Sequence, residues 1–235
     1  MMQTLLLRHR ELLAVSLWLV FTGSTTAAAS LDTLTSKDAA GGLRAALSQG
    51  IDTAVAQLGA NNGFLNDPKV SIPLPPALQK AEGALRLIGM DRDADNLKAT
   101  MNHAAEAAVA DAKPVFKQAL QRMTVADAKA ILTGGDDAGT QYFRGATSAQ
   151  LTAKFRPIVE RETAKLKLAS RYDQYAGKAA DLGLIKAQDA NLNDYVTAKA
   201  LDGLFSRIAD EERAIRKDPL GQASLLIKKV FGAVR

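Results

Sequence analysis

Apolar residues return every three or four positions along most of this 235-residue chain, a spacing that puts them on one face of a helix. Leu43, Leu47, Ile51, Val55 and Leu58 form one such stripe, and Val196, Leu201, Leu204, Phe205, Ile208 and Ile215 form another. Aromatics make up only 5% of the chain, while alanine and leucine, strong helix formers, abound. The pattern predicts an all-α fold, a bundle-like domain of seven to ten helices, with residues 30–235 as one domain.

Proline and glycine mark where the helices stop. Ser36 is placed to cap the first helix and Gly59 to end it. Four of the seven prolines fall between Pro68 and Pro76 and exclude helix there. Asn61 to Pro76 is therefore expected to run extended, a strap that buries the alternating Val70, Ile72 and Leu74. Pro76 then suits the first turn of a helix carrying Leu78, Ala81, Leu85 and Ile88. Asp91, Asp93 and Asp95 suit the start of a helix running to about Lys113, where Pro114 breaks or kinks it. Its face of Leu97, Met101, Ala104, Ala105, Ala108 and Ala112 allows close approach, which makes it the expected central helix.

Farther on, Thr124-Val125-Ala126-Asp127 reads as a capping box, and Gly134-Gly135 as the stop of the short helix that follows it. Thr147-Ser148-Ala149-Gln150 reads as a second box, opening a helix with Leu151, Phe155 and Ile158 that Pro157 kinks. Tyr172, Tyr175, Ala179 and Leu182 share the next face, and Asn191 to Lys217 forms a long helix that Asp218-Pro219 ends. Leu226, Ile227, Val230 and Phe231 are expected to dock a last helix.

The first residues read as an export signal. Arg8, His9 and Arg10 precede the short apolar run Leu12 to Phe21, and Ala27-Ala28-Ala29 fits a cleavage site before Ser30. That run is about half of the ~20 apolar residues a spanning helix needs, so a periplasmic protein with no integral membrane segment after cleavage is expected. The chain has no cysteine, which rules out both a lipid-anchored thioether and a disulfide.

Charge is uneven. Residues 30–137 carry 11 basic and 13 acidic groups, and residues 138–235 carry 17 and 11. The halves are thus suited to attract one another or to meet an anionic partner, and export argues against nucleic acid as that partner.

Few residues suggest chemistry. Asp91, Asp93 and Asp95 match the first calcium-loop positions, but Asn96 and Asn102 stand where glycine and a bidentate glutamate are needed. His103 is the sole histidine after residue 29, so no metal site is expected, and no cofactor motif appears. Asn102 and Glu106 share one helix face, as a ligand hook, a general acid or a buried tie. Glu212 and Arg216, four apart, suit an exposed helix pair; alternatively Arg216 reaches Asp136-Asp137. Gly134 to Arg144 crowds Asp136, Asp137, Gln141, Tyr142 and Arg144 into two turns, and is expected to be the functional or organising centre. There the paired glycines would allow a sharp reversal and Asp136 would cap the next turn.

The stretch Met123-Thr124-Val125-Ala126-Asp127-Ala128, followed by Ile131-Leu132-Thr133-Gly134-Gly135-Asp136-Asp137 and Thr140-Gln141-Tyr142-Phe143-Arg144, resembles the central motif of the bacterial domain-of-unknown-function 4197 family. Asn62-Gly63-Phe64, Ile72-Pro73-Leu74-Pro75, Asn102-His103-Ala104-Ala105-Glu106 and Leu201-Asp202-Gly203-Leu204-Phe205 are similar to its other signatures. Gly139 departs from the alanine of that pattern, a change expected to loosen the turn before Thr140. The resemblance implies an exported helical domain of Gram-negative bacteria and carries over no catalytic residue. Three functions stay open: a module binding an envelope ligand or protein, an envelope hydrolase with Glu106 and Asp136 or Asp137 as acids, and a structural or chaperone-like protein.

Overall fold

The computed structural model describes residues 35–80, 91–166, 169–170, 172–173, 190–219, 228 and 230–231. The expected signal peptide, residues 1–29, lies outside the described residues. So do Ala81, Leu85 and Ile88 of the helix after Pro76, Tyr175, Ala179 and Leu182 of the later face, and Leu226 and Ile227 of the last helix. Six α-helices are described: Ser36–Leu58 (α1), Asp91–Val109 (α2), Lys113–Arg122 (α3), Val125–Thr133 (α4), Ala138–Thr163 (α5) and Leu192–Lys217 (α6). No strand occurs among the described residues, so the fold is all-α. Nor, among them, is any helix long and apolar enough to cross a membrane.

α5 and α6 form the most extensively packed pair. They run antiparallel: Thr140 of α5 meets Glu212 of α6 at one end, and Thr163 Oγ1 donates to Asn193 Oδ1 at 2.6 Å at the other. α2 lies against both, α1 packs on α6 and α4, and α3 bridges α1 and α5. The alanine-rich α2 buries Ala104, Ala105 and Ala108 as expected and packs on α5 about as extensively as α6 does. Phe116 of α3 sits edge-on to Phe143 of α5 and Phe205 of α6, with centroids 5.4 and 6.1 Å away, and ties the three helices together.

Several boundaries follow the chain's own caps. The Thr124 side chain accepts from Asp127 N while the Asp127 carboxylate accepts from Thr124 N, the reciprocal box expected there. Asn191 caps α6 through Asp194 N, and Gly59 ends α1. The cap of α1 is Thr35, one residue before Ser36. α2 ends at Val109, earlier than expected. A proline ring crowds the carbonyl four residues before it, here that of Ala110, and Ala110–Ala112 tightens into a 3-10 turn so that Pro114 falls in the first turn of α3.

Thr147-Ser148-Ala149-Gln150 does not start a helix. Thr147 Oγ1 donates to Phe143 O at 2.7 Å and Ser148 Oγ to Arg144 O at 2.6 Å, so both hydroxyls bond back to the preceding turn and α5 continues through them.

The strap buries Val70, Ile72 and Leu74 on alternate positions, as expected. Its first part is not extended, however: residues 61–66 and 68–70 are turns, with Asn62 in the left-handed region at φ 63°. Gly203 of α6 lets this segment press in, since a Cβ there would stand 2.7 Å from Phe64 Cε1 and 3.2 Å from Val70 Cβ. Arg207 of α6 pairs with Asp67, and Lys69 Nζ with Asp210 at 2.7 Å.

Candidate functional site

Asn102 and Glu106 do share a face of α2, and that face holds the strap. Asn102 Oδ1 accepts from Ile72 N at 2.8 Å, and its Nδ2 donates to Ile72 O at 2.9 Å and to Lys98 O at 2.8 Å. The amide thus imitates a neighbouring strand for one residue of irregular backbone. Glu106 Oε1 accepts from Phe64 N at 3.1 Å and Leu65 N at 3.3 Å, while Oε2 accepts from Asn62 N at 3.2 Å and lies 2.8 Å from His103 Nδ1. Three amides gather round one carboxylate, which is why residues 61–66 curl instead of extending. Both oxygens of Glu106 are engaged in this tie.

The second cluster joins the Gly134–Arg144 segment to Glu212, which the sequence pattern suggested only as half of an exposed pair with Arg216. Glu212 Oε1 accepts from Gly139 N at 2.9 Å, and Oε2 from Thr140 N at 2.8 Å and Thr140 Oγ1 at 2.9 Å. A carboxylate from α6 therefore caps α5, where unpaired amides and the helix dipole favour negative charge. Arg216 donates to Glu212 Oε1 through Nε at 3.1 Å and Nη2 at 2.8 Å, and Nη2 also reaches Ile131 O of α4 at 2.9 Å. Arg216 thus pairs with Glu212 and not with Asp136-Asp137. Nor is the pair exposed, the side chains being 12% and 3% accessible. Gly139 fits this close approach: a Cβ would stand 2.6 Å from Leu47 Cδ2 and 3.1 and 3.2 Å from the Glu212 oxygens. Its glycine seats the turn and does not loosen it.

The other candidates of the segment are peripheral. Asp136 is exposed and caps no helix among the described residues; Asp137 begins α5 without a side-chain cap and accepts from Gln141 Nε2 at 3.1 Å. Arg144 lies 3.2 Å from Asp202 and stacks over Phe205 at 4.6 Å. Burial pushes the Tyr142 hydroxyl above its usual 10.0; Asp127 adds to this and Arg44 opposes it. Neither Gly134 nor Gly135 takes a left-handed conformation, so the reversal does not need their freedom. Gly134 is needed for space, because a Cβ would meet Ala138 Cβ at 2.8 Å and Ala130 O at 2.9 Å. Among the described residues no three acidic or histidine side chains form a metal-binding group.

An open groove of about 490 Å³ lies between α1 and α3. Ile51, Phe116 and Leu120 lie beneath it and are almost wholly buried; Ser48 and Asp52 on one wall face Lys113, Pro114 and Lys117 on the other. The Lys113 ammonium is 3.2 Å from Asp52, with 48% and 60% of these side chains accessible, a pair that contributes at most about 1 kcal/mol and is readily exchanged. Lys117 makes no ion pair among the described residues. In contrast, the space beside Glu212, walled by Leu47, Ile208 and Phe231, measures about 10 Å³, roughly the room for one water. No local pattern marks the groove, because its two walls come from helices far apart in the chain.

Residues 33–232 match the profile of the family described as a protein of unknown function, DUF4197. The chain belongs to this family. The matched span runs from before α1 to beyond α6, and so takes in both carboxylate ties and the DUF4197 groove alike. No curated protein matches the chain, and no solved structure does.

Proposed function

We propose that this DUF4197 protein is an exported binding module that takes up a small envelope ligand in the groove between α1 and α3. The groove itself carries the reading: about 490 Å³ is within the range of ligand pockets, and Ser48, Asp52, Lys113 and Lys117 place a few polar groups around it to orient a ligand. Export rests on the Arg8–Arg10 cluster, the short apolar run and the Ala27-Ala28-Ala29 site.

The hydrolase alternative has less support. Its general acid, Glu106, is bound by three backbone amides and His103, and its partner Asp136 is exposed on a turn held by a different carboxylate. Val125 is the one large apolar side chain exposed among the described residues, which favours a groove over a broad protein-docking face. Native mass spectrometry of the protein recovered from periplasm tests the proposal. The expected spectrum shows a chain beginning at Ser30 with a small non-covalent adduct, absent from a Leu120→Trp variant that fills the groove. An adduct that persists in that variant, or none in either, contradicts the groove reading; a chain retaining Met1 contradicts export.

A further inference from the structure

We infer that Asn62-Gly63 is a latent self-modification site, held unreactive by the Glu106 tie, and that its deamidation releases the first part of the strap. In an Asn-Gly pair the glycine N–H gives its proton to hydroxide and the nitrogen attacks the asparagine Cγ. Ammonia leaves, taking a proton from water, and a succinimide ring forms; a second water then opens the ring to aspartate or isoaspartate. Glycine is the fastest follower because it puts no side chain in the way of the attack. The turn needs both residues. Asn62 sits in the left-handed region at φ 63°, which asparagine tolerates better than most side chains, and a Cβ on Gly63 would overlap Gln57 O and stand 2.7 Å from Leu58 O. Packing thus demands the labile pair, and hydrogen bonding restrains it. Gly63 N donates to Ala60 O at 2.9 Å, Asn62 O accepts from Asn66 N at 3.0 Å, and Asn62 N is held by Glu106 Oε2 at 3.2 Å. Swinging Gly63 N towards the asparagine Cγ breaks the first two of these bonds, so reaction waits for the turn to open. Deamidation then exchanges a neutral amide for a carboxylate beside Glu106, and like charges there oppose the turn's closing again.

Peptide mapping by mass spectrometry of the purified full chain, held at mildly alkaline pH with and without urea, follows residue 62 directly. The native parent deamidates there more than about tenfold slower than the urea-unfolded chain. Glu106→Gln leaves one acceptor oxygen for the donors that now share two, and accelerates the native reaction by roughly three- to tenfold. Glu212→Ala loosens a tie elsewhere and does not, circular dichroism verifying that both variants are folded. Equal rates in native and unfolded parent overturn the restraint. Equal acceleration by the two variants shows reaction through global unfolding and overturns the role of Glu106. Asn62→Asp tests the release separately and leaves Glu106 in place, since aspartate also suits the left-handed region and adds only the charge. Hydrogen exchange at the Phe64 amide, which Glu106 Oε1 accepts, then accelerates by at least about threefold more than at Leu151. Unchanged exchange at Phe64 overturns the release of the strap.

Discussion

Glu212 joins three helices through one carboxylate: it caps α5 at Gly139 and Thr140, and through Arg216 it reaches the last turn of α4. Removing one partner of a buried, hydrogen-bonded ion pair leaves the other charge desolvated. Glu212→Ala is therefore expected to cost about 3–5 kcal/mol in urea unfolding, against less than about 1 kcal/mol for Arg213→Ala at the exposed pair with Asp210. Similar small losses for both would show that Glu212 is not the tie described. Asp173 gives a pH signature of its own. Burial raises its pKa above 3.8, the Leu192 N–H opposing and Asp194 adding to the shift. The fold favours its protonated form, so its contribution is complete below the unfolded value and is lost as pH rises through the higher folded one. Asp173→Asn should thus gain stability relative to the parent between pH 3 and pH 7, with Oδ1 still accepting from Leu192 N. A variant that loses ground over that interval would reverse the sign. Asp210 behaves oppositely: burial raises its pKa, but Lys69 and Arg213 together outweigh this and hold it below 3.8, so its contribution fades as pH falls.

At the scale of elements, the strap shows what a local pattern can and cannot convey. The alternation of Val70, Ile72 and Leu74 marked which side chains would be buried, because that depends on period alone. The turns at residues 61–66 depend on Glu106, some forty positions away, and no local reading shows that carboxylate collecting their amides. The start of α5 is similar. Thr147-Ser148 has the composition of a cap, but the true cap is Glu212, 73 positions beyond Gly139, so the helix begins earlier than its own sequence advertises. The Gly134–Arg144 segment was legible as a polar turn; the carboxylate that caps it was not, because Glu212 and Arg216 at a spacing of four resemble an ordinary surface pair. Asn102 supplies the element-scale test. Asn102→Ala leaves the buried N–H and C=O of Ile72 without partners, at about 1–3 kcal/mol each. Hydrogen exchange at the Ile72 amide should accelerate well beyond that at Leu151 of α5. Equal acceleration at both would mean that Asn102 supports the whole core and not the strap alone.

For the whole molecule, the helical period made the all-α architecture legible, since burying one stripe per helix is a constraint every segment repeats. The groove was not legible, because its walls come from helices separated by the strap and by α2, and charges such as Asp52 and Lys113 carry no mutual register in sequence. The two carboxylate ties lie in other parts of the fold, so ligand binding at the α1–α3 groove should leave them undisturbed. Methyl-resolved NMR of the Leu120→Trp variant, in which the larger side chain fills the groove, tests this most directly. Shifts relative to the parent are expected at the methyl groups of Ile51, with Leu151 and Val159 of α5 unmoved. Shifts centred on α5, or none at Ile51, would contradict the separation of groove and ties.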